Sequence, residues 1–131
     1  MLSDLQCPAK VLFVARDLLD LGASLLTPEN ERYSGVFVAS AIAADAGDLA
    51  RATVLGQQAG CSLKILADAV DGTSLARAVQ DLSDVYRGET IVVIADRDLM
   101  REVFGRAGGS MEPIAVSIDS SGWTMLKAAD S

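Results

Sequence analysis

Four segments of this chain carry side chains from which chemistry could be built: Arg16-Asp17, Ser40, Asp68 and Asp96-Arg97-Asp98, each just behind an apolar run. In an open parallel sheet, ligands collect at the carboxyl ends of the strands, so these are the positions where a site is expected. Arg16 and Arg97 could bind a polar or anionic small ligand. The carboxylates of Asp17, Asp68, Asp96 and Asp98 could hold a hard cation such as Mg²⁺, and the Ser40 hydroxyl could be a nucleophile. Each group also has a plainer role. Arg16 with Asp96, or Arg97 with Asp17, would neutralise each other and plug the pocket, since ions near a core are held by pairing. Acids at helix starts, Asp17 and Asp98 among them, satisfy exposed backbone N–H groups, so no metal ion and no cofactor is expected. The chain contains no histidine, and Lys10, Lys64 and Lys127 belong to no motif that would bring an amine to Ser40. Ser40 is therefore expected to cap a helix.

The elements behind these residues follow from periodicity. Lys10–Ala15 and Gly35–Ala39 read as buried strands, Leu63–Leu66 as a shorter one, and the β-branched run Thr90–Ile94 as a central parallel strand covered on both faces. Between them, Leu18–Leu26 reads as a helix broken at Thr27-Pro28. Ser40–Gln58 reads as a helix with Ile42, Ala46, Leu49, Thr53 and Gly56 on one face, and Gly60 as its stop. A turn and cap at Asp71–Ser74 opens a helix with Leu75, Val79, Leu82 and Tyr86 at helical spacing, ended by Arg87-Gly88. Asp98–Ala107 reads as a short helix closed by Gly108-Gly109. The tail changes period. Ile114, Val116 and Ile118 alternate with small or polar residues, Ser120-Ser121-Gly122 turns, and Trp123–Lys127 returns, an antiparallel hairpin. The expected fold is a single α/β domain over residues 1–131: a three-layer sandwich with a mainly parallel sheet and a C-terminal antiparallel hairpin.

Composition narrows the function. Eighteen acidic against eleven basic residues, a net charge of −7, repel a phosphate backbone and argue against nucleic acid and anionic membranes. No segment has the length of uninterrupted apolar sequence that spans a bilayer, and the start of the chain does not read as a secretion signal, so a cytoplasmic location is expected. Cys7 and Cys61 lie far apart without metal-ligand spacing and read as free thiols. No glycine-rich phosphate loop follows any strand. The hairpin face made by Ile114, Val116, Ile118, Trp123 and Met125 carries no charge, and an unprotected strand edge pairs readily with another chain. It is the expected interface of a homodimer, the alternative being that one face packs on Leu99, Val103 and Phe104.

In order, these segments resemble the histidine phosphatase, or phosphoglycerate-mutase-like, superfamily. KVLFVARD at Lys10–Asp17 sits where that family has a strand ending in Arg-His-Gly, and Leu26-Thr27-Pro28 resembles its Leu-Thr-Pro. VFVAS with the Ala-rich helix resembles its second strand and helix. GETIVVIADRDLMR at Gly88–Arg101 resembles the segment of its second histidine, and Ile118–Trp123 resembles its final hairpin. The resemblance implies a phosphoglycerate-mutase-like fold in which the strands before Arg16 and Asp96 are neighbours. It also implies lost chemistry. Ala15 stands at the phosphate-binding Arg, Arg16 at the nucleophilic His, Asp17 at the Gly and Asp96 at the second His, and no second Arg occurs near Ala44. Without histidine there is no phosphohistidine intermediate. The expected function is that of a non-catalytic pseudoenzyme acting through a protein partner or self-association. The alternative is a binder of a small anionic ligand, or an enzyme without histidine, using Arg16, Asp17, Asp96, Arg97 and Asp98.

Overall fold

The structure, a computed structural model, describes residues 8–17, 19, 33–104, 114–119 and 122–126. The expected helix over Leu18–Leu26 (Leu19 apart), the break at Thr27-Pro28, the Gly108-Gly109 stop, Ser120, Ser121, Lys127 and Cys7 lie outside the described residues.

The chain forms an α/β fold around a six-stranded mixed sheet. Its elements are β1 (Ala9–Ala15), β2 (Tyr33–Ala39), α1 (Ser40–Ala43), α2 (Ala46–Ala59), β3 (Leu63–Leu66), α3 (Gly72–Val85), β4 (Thr90–Ala95), α4 (Arg97–Phe104), β5 (Ile114–Asp119) and β6 (Gly122–Leu126). The strand order is β3-β2-β4-β1-β5-β6. β4 lies between β1 and β2 and is parallel to both, and β2 is parallel to β3. β5 runs antiparallel to β1, and β6 antiparallel to β5. The β-branched residues Ile91–Ile94 are fully buried because strands flank them on either side and helices cover both faces.

Side-chain alternation shows which helix covers which face. Phe13, Val93 and Phe37 stand in one row across β1, β4 and β2 and so share a face. There the Phe13 ring meets Phe104 of α4 at 5.0 Å and Trp123 of β6 at 6.1 Å, and Phe37 meets Tyr86, at the end of α3, at 5.8 Å. The opposite face carries Val36, whose partner Leu63 lies against Gly56 of α2. Thus α2 covers one face, while α3 and α4 cover the other.

The long helix expected over Ser40–Gln58 is two helices. After α1 the backbone extends at Asp45, whose Oδ1 accepts the Asp48 N–H at 3.0 Å and starts α2. An aspartate side chain competes for backbone N–H groups and caps a helix better than it continues one, so the Ala-rich run breaks there. The break shifts the helical phase. Ala52, Leu55 and Gly56 are buried together with Asp48, while Ala46 and Thr53 are exposed. Ser40 does not cap. It is the first residue of α1, no side chain caps that helix, and the Ser40 N–H donates to Ala69 O at 3.2 Å.

The other boundaries follow local chemistry. Gly60 ends α2 at φ 78°, a left-handed conformation that glycine adopts without strain. Asp71 caps α3 by accepting from Ser74 N at 2.8 Å, and Ser74 Oγ accepts from Asp71 N at 3.0 Å, a reciprocal capping box. α4 begins one residue before the expected Asp98, because Asp96 Oδ1 accepts the Leu99 N–H at 2.8 Å.

The hairpin pairs Val116 with Met125 and Ile118 with Trp123. Val116 and Ile118 are buried in the core and Trp123 is half-buried. Of the expected interface face, Val116 and Ile118 thus pack inward beneath the helices. The side chains of Ile114 and Met125 lie outside the described residues. Among the described residues no helix is long and apolar enough to cross a membrane.

Candidate functional site at the carboxyl end of the sheet

β1 and β4 are neighbours in parallel, with Ala15 opposite Ala95. Their carboxyl ends therefore bring Arg16-Asp17 and Asp96-Arg97 side by side. The expected pairing of Arg97 with Asp17 forms, Arg97 Nε donating to Asp17 Oδ2 at 2.7 Å. Arg16 takes a different partner from the expected Asp96. Its Nε donates to Asp48 Oδ2 at 2.7 Å, and its guanidinium also reaches Asp45 Oδ2 at 3.5 Å. Asp96 accepts the Leu99 N–H as the cap of α4. Asp17 thus reaches toward α4 and Arg16 toward α2. Because those helices cover opposite faces, the two ion pairs straddle the end of β1.

Asp48 is the centre of the second pair and was not singled out in the sequence. Only 6% of its surface is exposed. Arg51, one turn further along α2, donates to Asp48 Oδ1 at 2.6 Å, so one carboxylate lies between two guanidinium groups. Burial alone would push its pKa up. The hydrogen bonds and charges of Arg16 and Arg51 outweigh burial and hold it below the usual 3.8. The signal is visible in retrospect: Asp48 shares a helical stripe with the buried Ala52 and Leu55, where an acid needs a cation beside it.

The remaining expected residues stand apart from this arrangement. Asp98 is exposed and pairs with Arg101 of its own helix at 3.1 Å. Asp68 is exposed in the turn after β3, and Ser40 is half-buried. Among the described residues no group of three or more acidic or cysteine side chains is placed to hold a metal ion. Cys61 is a free thiol that donates to Tyr33 O at 2.9 Å, and burial pushes its pKa up.

An open groove of about 440 Å³ lies on the face of α3 and α4, lined by Ala76, Val103, Phe104, Val116 and Trp123. Its walls are apolar, and Trp123 Nε1 donates to Gln80 Oε1 at 2.7 Å. None of the charges at the strand ends lines it. What the strand ends offer chemically is charge held by opposite charge: cations that could face an oxyanion, with no activated nucleophile beside them among the described residues. In comparison with known proteins, no family model, no curated protein and no solved structure matches this chain.

Proposed function

We propose that this chain is a degenerate, non-catalytic member of the histidine phosphatase fold that acts through contact with a protein partner or with its own copies. The observation that carries the reading is the filling of the strand ends by Arg97–Asp17 and Arg16–Asp48–Arg51. Of the positions that the resemblance assigns to the two histidines, Arg16 is spent on an internal ion pair and Asp96 on capping α4. Two further features support it. The segments ending in Arg16 and Asp96 belong to adjacent parallel strands, and the chain closes with an antiparallel hairpin, as the resemblance implies.

The surface for contact is the outer edge of β6, since β6 ends the sheet and pairs only with β5 among the described strands. β6 carries no charge in a protein of net charge −7, so two copies meeting there avoid the repulsion acting over the rest of the molecule. The test is an assay on p-nitrophenyl phosphate against a buffer blank. No turnover is expected, and a turnover that disappears in Asp96→Ala overturns the pseudoenzyme reading.

A further inference from the structure

We draw no further inference here: the strongest candidate, the open apolar groove walled by Val103 and Phe104 of α4, Ala76 of α3 and Val116 and Trp123 of the closing hairpin, carries nothing because nothing in the structure shows what covers it.

Discussion

At the scale of single residues, Asp48 is the most consequential side chain at the strand ends. Its pKa is depressed in the folded state, so the stability it contributes is fully present above the ordinary aspartate value of 3.8 and is lost as pH falls through the folded value. Asp71, depressed by its hydrogen bonds from Ser74, has the same sign. The melting temperature should therefore be flat at mildly acidic pH and drop below about pH 4, where carboxylates take up protons. Asp48→Asn should melt lower than wild type at pH 7, by about 1–2 kcal/mol given the solvent exposure of both arginines, and show a shallower fall in acid. Equal acid sensitivity in the two proteins would mean that Asp48 is not held by Arg16 and Arg51. The sequence was a partial guide here. The pairing of Arg97 with Asp17 could be anticipated, because both follow strands expected to be adjacent. The partner of Arg16 could not, because the restart of the helix at Asp45 rotates Asp48 toward β1 and no composition rule reports that rotation.

Among the elements, α3 and α4 meet closely at Gly72 and Glu102. Gly72 begins α3 with its N–H donated to Glu102 Oε1 at 2.6 Å, and a Cβ on Gly72 would collide with the Glu102 Cβ and stand 3.3 Å from its backbone carbonyl carbon. Gly72→Ala should force the two helices apart at a cost of about 1–3 kcal/mol, measured by urea unfolding. A neutral substitution would show that the helices shift freely. The central strand has less tolerance still. Val92→Asp places a carboxylate in a fully buried row between β1 and β2 and should destabilise by more than about 4 kcal/mol, abolishing soluble expression. Normal folding of that variant would be incompatible with the sheet order. β4 and α3 were legible because their signals are redundant. Thr90–Ile94 is wholly apolar or β-branched, and α3 combines helical spacing with a capping sequence at Asp71–Ser74. The Ser40–Gln58 region misled because alanine has no preference that marks a break, and a single aspartate settles where the second helix begins.

For the whole molecule, the arrangement of the charges and the outer edge of β6 make self-association testable. Substituting Val116 would answer nothing, since that residue belongs to the core. Thr124 is exposed on β6, and Thr124→Lys puts a charge on the edge while leaving the buried residues in place. Sedimentation should show a dimer for wild type and a monomer with an unchanged melting profile for Thr124→Lys. A wild-type monomer at all concentrations would remove the β6 edge as a self-contact and leave contact with a different protein as the surviving form of the proposal. The α/β architecture and the closing hairpin were expected from the alternation of periods along the chain. The inward turn of Val116 and Ile118 was one of two readings left open, because alternation shows that one face of a hairpin is apolar without showing what already covers it.

The position of β4 also dictates an order of events as the chain emerges during synthesis. β1 pairs with β4 and β5, whereas β2 pairs with β3 and β4, so β1 and β2 have no ladder between them. Until Thr90–Ala95 is available, the chain holds a β2-β3 ladder and a solitary apolar β1 with nowhere to dock. β4 is the keystone that joins two separate pieces, and it arrives late. Closing the long loop from β1 to β4 must precede most of the rewarding contacts, which slows folding relative to a helical bundle of the same length. A nascent chain stalled after Gly88 should remain sensitive to protease along Ala9–Ala15, and one extended beyond Phe104 should become protected there. Protection of β1 in the shorter chain would show that it finds another partner first.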